Sequence, residues 1–277
     1  MRSWPLAWRH TSTTRSTRTP TGTRRHHDGL YRRGELGQTP VMAYAERDDP
    51  IPGAIRWRSD SGGGLVLPDG CMDLILLGDR VVVAGPDTRA HRTDADLGPA
   101  VGLRLPPGYL PLVLPVPADE VPDRCVPLAD LAGARVAQIL GRDAHHRGAD
   151  ALSAFVGARL GLEQERALAR TRHTVARIVA GHAVADIARD LAHSERQFRR
   201  NCLRQFGYGP ATLRRILRVD RALAHHRLGM PLAAAATAAG FSDQAHFTRV
   251  CADLTGRPPG ALVRSSWSGR ATRLIGE

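Results

Sequence analysis

The chain has 277 residues, of which 42% are apolar, and it carries a formal net charge of +12. This length is sufficient for two domains, each with its own hydrophobic core. No uncharged apolar run reaches the roughly 18 residues of a membrane helix, and the first residues lack the apolar core of a signal peptide. The sequence therefore argues against a membrane or exported protein and predicts a cytoplasmic one.

The 39 basic residues are all arginine, and their distribution is uneven. The net charge is +6 over residues 1–41, −4 over 42–162 and +10 over 163–277. A basic region joined to an acidic one indicates that one half binds a polyanion and that the other half has a different task. On charge alone, an arginine-rich solvated surface is an equally good interpretation.

Residues 1–41 contain eleven serines and threonines, eight arginines and almost no apolar periodicity. This composition predicts a disordered basic segment. Two interpretations are open. Translation could begin at Met42, which we favour, or the segment could be a basic arm that binds DNA.

Residues 42–131 are predicted to form a β-rich domain. Short apolar runs at 64–67, Met72–Leu77, Arg80–Ala84 and 101–105 predict strands, and Gly78-Asp79 fits a two-residue hairpin turn. Residues 106–127 are proline-rich and are expected to be irregular. The four cysteines lie far apart without a C-x-x-C pair, which argues against a zinc knuckle and is typical of reduced, mostly buried thiols. We therefore expect no metal and no other cofactor.

Helical periodicity begins at 128–140 and resumes at 150–162, and the intervening residues, which include His145 and His146, are expected to break the helix. Residues 132–165 are interpreted as a helical connector and 166–265 as an all-α DNA-binding domain. Residues 266–277 are interpreted as a flexible tail. The predicted fold class is α+β: an N-terminal β-rich domain (cupin-like or half-barrel) followed by a C-terminal double helix-turn-helix domain.

An internal repeat with an offset of 49 residues carries the functional argument. Phe198 to Cys202 corresponds to Phe247 to Cys251, and in both copies a glycine follows the cysteine by five residues and a proline follows that glycine by three. The chain therefore repeats one unit in which a helix ends at a glycine turn.

A short amphipathic segment precedes each copy, at 184–191 and at 232–239. Ser194 suits the N-cap of the first repeated helix, with Gln197 completing a capping box, and Ser242 suits the N-cap of the second. A short helix, a tight turn and a capped second helix make a helix-turn-helix, so the sequence predicts two of them.

The outward faces of the two repeated helices carry side chains that can bond guanine or adenine edges in the major groove. The predicted DNA-binding residues are Arg196, Arg199, Arg200, Gln244, His246 and Arg249. Residues 210–226 are predicted to form one connecting helix about 25 Å long, which could hold the two reading helices about one DNA turn apart. We therefore expect one chain to read an asymmetric site in two successive major grooves.

Residues 172–262 resemble the AraC/XylS family of bacterial transcription regulators, most closely at AGFSDQAHFTR (239–249) and TGRPP (255–259). The resemblance implies that the six predicted residues contact DNA and that RNA polymerase is a partner. The sequence departs from the family at Cys202 and Cys251, where phenylalanine is common, and at Ala192, where glycine is commoner. We expect looser packing there.

The segments LPDGCMDL (67–74), AGPDTRAH (84–91) and VGLRLPPG (101–108) resemble the N-terminal domain of an actinobacterial-type branch of the same family. This resemblance implies a sensor domain that binds a small effector and could form a homodimer. The candidate effector pocket comprises Asp69, Cys71, Asp73, Asp87, Arg89 and His91. Turn-forming aspartates around a buried cysteine are the alternative interpretation that we favour.

Two other functions are alternatives to a transcription regulator. An enzyme would need a catalytic group set in the β domain, such as Cys71 with His91, and nothing in the sequence places a base beside that cysteine. A DNA-compacting protein would bind without sequence preference. We therefore expect a regulator and no enzymatic activity.

Overall fold

The computed structural model describes residues 44–94 and 96–263, and of Val263 only the backbone. The predictions for residues 1–41 and 266–277 therefore lie outside the described part. Within the described part, no helix is long and apolar enough to cross a membrane.

The N-terminal half is built on a six-stranded antiparallel sheet with the order β1-β2-β7-β4-β5-β8, beside a two-stranded ladder of β3 and β6. The strands are β1 (Tyr44–Asp48), β2 (Ile55–Ser59), β3 (Leu65–Val66), β4 (Met72–Leu77), β5 (Arg80–Ala84), β6 (His91–Arg92), β7 (Ala100–Leu105) and β8 (Cys125–Pro127). The hairpin between β4 and β5 pairs Leu77 with Arg80, and Gly78 at its turn has φ +62°. Four strands were missed by the sequence prediction: β1, β2, the two-residue β6 and the proline-ended β8.

Alternation along the strands separates two faces of this sheet. On β4, Met72, Leu74 and Leu76 are buried in the first hydrophobic core, while Asp73 lies on the opposite face. Leu103 of β7 belongs to the same core, and its neighbour Arg104 lies beside Asp73 on the other face. One face is therefore apolar, and the other carries buried charge.

Four helices and a 3-10 turn follow β7 in sequence, with β8 between the 3-10 turn and α2. They are α1 (Leu110–Val113), the 3-10 turn (Ala118–Glu120), α2 (Leu128–Ala132), α3 (Ala134–Arg147) and α4 (Ala149–Gly157). The break predicted over 141–149 is confined to its last part, because α3 continues through Arg147. Gly141 and Ala144 continue the buried stripe of Leu140, and the helix ends only at Gly148 (φ +59°). Residues of α3 and α4 complete the first core, so they do more than connect.

The C-terminal half is helical and has its own core. Its helices are α5 (Leu162–Ala180), α6 (Val184–Asp190), α7 (Glu195–Phe206), α8 (Pro210–Arg227), α9 (Leu232–Ala238), α10 (Gln244–Thr255) and α11 (Pro259–Val263). Pro210 is the first residue of α8, where its missing N–H costs nothing. A β-sheet half followed by this helical half confirms the α+β class.

A loop between β5 and β6, residues 85–90, joins the two halves, and we call it the docking loop. Its Asp87 carbonyl accepts a 2.5 Å hydrogen bond from the Tyr208 hydroxyl, just beyond α7. The Ala90 N–H donates to the Leu254 carbonyl of α10 over 3.1 Å. Leu65 and Leu67 also pack in the C-terminal core. The β half therefore touches the ends of both repeated helices.

Candidate nucleic-acid interface

The 49-residue repeat folds into two matching helices, α7 and α10, of twelve residues each. Gly207 ends the first at φ +77° and Gly256 ends the second at φ +68°, both in the left-handed region that glycine adopts without steric cost. Each helix follows a seven-residue helix, α6 or α9. The structure therefore contains two helix-turn-helix units.

Each repeated helix buries one face and exposes the other. Phe198, Cys202 and Phe206 of α7 are buried, as are Phe247, Cys251 and Leu254 of α10. Neither thiol forms a disulfide, and burial raises the pKa of Cys202 to about 12 and that of Cys251 to about 11. These cysteines are therefore packing residues.

The predicted DNA-binding residues differ in exposure. Five are exposed: Arg196, Arg199, Arg200, Gln244 and Arg249. His246 is half-buried. Its ring lies edge-on to Phe241 with centroids 5.3 Å apart, and its Nδ1 lies 3.0 Å from the Ser242 hydroxyl. The His246 ring therefore also holds the turn that precedes α10.

Helix α7 also exposes a leucine that was not among the predicted site residues. Leu203 is 42% exposed and follows Arg199 by one helical turn, so the two side chains share a face. The arginines on this face are exposed as well, so Leu203 is an apolar side chain on a basic surface. A leucine in a helix is usually expected in the core, and the spacing of apolar residues in the sequence does not show that Leu203 faces solvent.

The two helices begin with different caps. The Ser194 side chain is the N-cap of α7 and accepts a 3.2 Å hydrogen bond from the Gln197 N–H. The predicted cap of the second helix is wrong by one residue, because the Asp243 carboxylate accepts the N–H of His246 and Ser242 donates to Asp243 instead. Both bonds favour the ionised carboxylate and lower the pKa of Asp243.

The turns inside the two units also differ. The first turn has Ala192 at φ +53°, a conformation that strains a residue with a Cβ, whereas the second has Gly240 at φ +85°. Arg218 of α8 braces the second turn. It donates to the Ala239 carbonyl over 3.0 Å, and its guanidinium lies 4.3 Å from the Phe241 ring centroid.

Comparison with known families decides the class of the domain. Residues 187–265 match the family model described as a helix-turn-helix domain. These residues are an AraC-type helix-turn-helix domain. The chain is therefore a DNA-binding transcription regulator.

Comparisons over the whole chain give weaker similarity than the family model does. No curated protein matches the sequence. The chain is similar to an apo ToxT variant from Vibrio cholerae, at 13% identity and a TM-score of 0.42, over 78% of this chain and 98% of that one. It is also similar to wild-type ToxT from Vibrio cholerae bound to an unsaturated fatty acid, at 11% identity and a TM-score of 0.41, over 87% and 100% of the two chains. The fatty acid is a ligand of ToxT and carries no argument for this chain.

Beside the AraC-type domain, the polar face of the sheet holds a cluster around Arg104. The Arg104 guanidinium lies 3.3 Å from Glu46, 3.4 Å from Asp69 and 3.7 Å from Asp73. The Trp57 indole donates a 2.6 Å hydrogen bond to Asp73. Burial nevertheless outweighs these partners and raises the pKa of Asp73. Arg104, Glu46 and Trp57 were not predicted as site residues, because strand pairing brings them together from distant positions.

The six residues of the predicted effector pocket fall partly in this cluster. Asp69 and Asp73 pair with Arg104, and Cys71 is buried with its N–H on the Asp69 carboxylate. Asp87 lies 3.3 Å from the His91 ring, and burial, with Asp69 nearby, raises its pKa well above the usual value. Arg89 is exposed. Among the residues that the structure describes, no group of three or more histidines, cysteines and carboxylates could hold a metal ion.

Proposed function

We propose that one chain of this AraC-type regulator reads an asymmetric DNA site, with α7 and α10 in two successive major grooves on one face of the duplex. Arg196, Arg199 and Arg200 contact the first half-site, and Gln244, His246 and Arg249 contact the second. The exposed arginines also contact phosphates, which provide much of the affinity.

The single observation that supports the proposal is that α7 and α10 match in length and termini but present different chemistry. Arg200 and Arg249 occupy equivalent positions of the repeat, whereas Glu195 corresponds to Gln244. Arginine suits guanine and glutamine suits adenine, so the two half-sites should differ in base sequence. The connecting helix α8 has 18 residues and is therefore about 27 Å long, close to one turn of DNA.

Selection from a random DNA library with the full chain tests this proposal. We expect a non-palindromic motif whose two conserved blocks have centres about 10 base pairs apart. Inserting five base pairs between the blocks should reduce affinity to nearly that of one block, because the second helix then faces the wrong side of the duplex. A palindromic motif, or equal binding to all sequences, would contradict the proposal.

The β half is proposed to modulate DNA binding and to carry out no chemical reaction. Cys71, the one nucleophile that the sequence suggested, is only 4% exposed and is therefore inaccessible to a substrate. The charges of the candidate effector pocket are largely paired, Asp69 and Asp73 with Arg104 and Asp87 with His91, which favours a role in holding the docking loop. We also propose that the chain contacts RNA polymerase and forms a homodimer through the β half. Its proposed location is the bacterial cytoplasm.

A further inference from the structure

Leu203 is an exposed leucine in the middle of a DNA-binding surface. Four large apolar side chains are exposed in the part of the chain that the structure describes: Ile139, Leu162, Leu203 and Leu228. Of these four, only Leu203 lies on α7 or α10. Single exposed leucines are common on protein surfaces, so the location of Leu203 matters more than its exposure.

The helical geometry of α7 places Leu203 among the predicted DNA-binding arginines. In a helix of 3.6 residues per turn, Arg199 and Arg200 project about 60° and about 40° to either side of Arg196. Leu203 projects about 20° from Arg196, inside the arc that the three arginines define. Seven residues of helix span about 10.5 Å, which is the length of about three base pairs. If α7 follows a major groove, Leu203 therefore faces the same groove as Arg196, about three base pairs further on.

The charges around Leu203 favour DNA as the molecule that covers it. Arg199 and Arg200 precede Leu203 by about one turn, Arg204 follows it directly, and all three arginines are exposed. The one carboxylate on α7 is Glu195, which lies two turns away and pairs with Arg199 over 3.3 Å. A single leucine among guanidiniums offers little area to an apolar protein surface, whereas its surroundings match a polyanion.

The equivalent position of the second unit is chemically different. Ala252 of α10 corresponds to Leu203 in the 49-residue repeat, and it is half-buried. The large exposed apolar side chain is therefore a property of the first unit. Because α10 has alanine at this position, the helix design also tolerates a smaller side chain there.

We propose that Leu203 is a specificity-determining residue that contacts the C5-methyl group of a thymine in the first half-site, about three base pairs from the base that Arg196 contacts. In the major groove this methyl group distinguishes thymine from the other bases, and apolar side chains recognise it by contact. The inference rests on the proposed function, since it requires α7 to lie in a major groove.

A deoxyuridine scan of the selected DNA site tests this contact with the full chain. Deoxyuridine lacks only the C5-methyl group of thymidine, so each replacement removes one methyl and keeps every hydrogen-bonding group. We expect one replacement in the first block to weaken binding about threefold, because the apolar area between that methyl group and Leu203 is lost. A first block without a thymine, or one whose thymines all tolerate replacement, would overturn the proposal.

Two leucine variants assign the methyl effect to a side chain. Leu203→Ala should weaken binding to the thymine site about threefold and should bind the deoxyuridine site no more weakly than the unmodified chain does. Leu228→Ala removes a leucine that is 87% exposed at the end of α8, and it should keep the full methyl effect. A full methyl effect in Leu203→Ala would refute the assignment.

Salt dependence separates a methyl contact from an indirect effect on phosphate binding. Leu203→Ala should leave the slope of log affinity against log salt concentration unchanged, whereas Arg204→Gln should reduce that slope by about one. A reduced slope in Leu203→Ala would mean that the leucine acts through its arginine neighbours, against the proposal. Arg200→Ala on the same DNA keeps the two hypotheses distinguishable. If Arg200 retains a base preference and no methyl effect is found, only the role of Leu203 is lost; if neither effect is found, α7 does not read bases.

Discussion

The two helix-turn-helix units share one helix design but differ in what holds them. Gly207 at the end of α7 lies against Pro86 of the docking loop and the carbonyl of Ala118. Gly256, its equivalent in α10, has open space around it. The first unit is thus packed tightly against the β half at its end, whereas Arg218 braces the second from within the helical domain.

The repeat therefore determines the two helices, whereas the contacts around each helix differ and are set by the rest of the chain. The β half packs against the end of α7 at Pro86 and the Ala118 carbonyl. At α10 the contact with the β half is a backbone hydrogen bond, from the Ala90 N–H to the Leu254 carbonyl. We therefore expect regulation to act mainly on the first half-site.

The glycine pair provides the sharpest test of this asymmetry, with the largest expected effect. Gly256→Ala should reduce the free energy of unfolding by about 1–2 kcal/mol, because alanine resists the left-handed conformation. Gly207→Ala carries the same cost and also places a Cβ 2.4 Å from the Pro86 ring, which should bring the loss to about 3 kcal/mol.

Urea unfolding of both variants, followed by circular dichroism, measures the difference. The two chains carry the same substitution at equivalent positions, so each is the control for the other. Equal losses would mean that the docking loop does not constrain the end of α7, and the proposed route of control through that contact would be lost.

Substitution of the equivalent residues Arg249 and Arg200 compares the exposed faces of α10 and α7. Arg249→Ala should cost about 1–3 kcal/mol on the selected site and relax the preference at one base pair of the second block. Arg200→Ala, its equivalent, should have the corresponding effect at the first block. Electrophoretic mobility shifts on single-base variants of the site measure both. A uniform loss on every sequence would assign these arginines to phosphate contacts instead.

The fold was predictable where burial follows a period. Strand β4 agrees with the sequence prediction because its alternate residues enter the first core, and β5 agrees because its three valines are all buried. Strand β1 was missed, since its residues are largely exposed and charged. The early start of the break predicted in α3 has a similar origin: Gly141 and Ala144 are small, so the sequence does not show that they continue the buried stripe.

The candidate site was predictable only as far as local sequence determines it. The repeat and its inward aromatic residues follow from spacing. The cap of α10 does not, because Ser242 and Asp243 are both good N-cap residues and the sequence cannot choose between them. The Arg104 cluster could not be predicted, since strand register assembles it from segments far apart in sequence.

The turn pair should show a smaller effect of opposite sign. Ala192→Gly should stabilise the chain by about 0.5–1 kcal/mol, because glycine adopts a positive φ without strain. Gly240→Ala should destabilise it, since it introduces the strain that the first turn already carries. Unfolding midpoints of both variants measure the pair. A loss of stability in Ala192→Gly would show that the Ala192 methyl group contributes packing that outweighs the strain.

The caps provide the finest distinction, because only the second one titrates. The folded state holds the pKa of Asp243 below its usual value, chiefly through the N–H of His246 and then through the Ser242 hydroxyl. The ionised cap therefore stabilises α10 above the unfolded pKa of about 4, and this contribution is lost as pH falls through the lower folded pKa. The penalty of Asp243→Ala should accordingly shrink between pH 5 and pH 2.5, whereas the penalty of Ser194→Ala should stay constant. Parallel urea titrations of both variants against the unmodified chain measure the two penalties, and a constant penalty for Asp243→Ala would show that its charge contributes nothing to the cap.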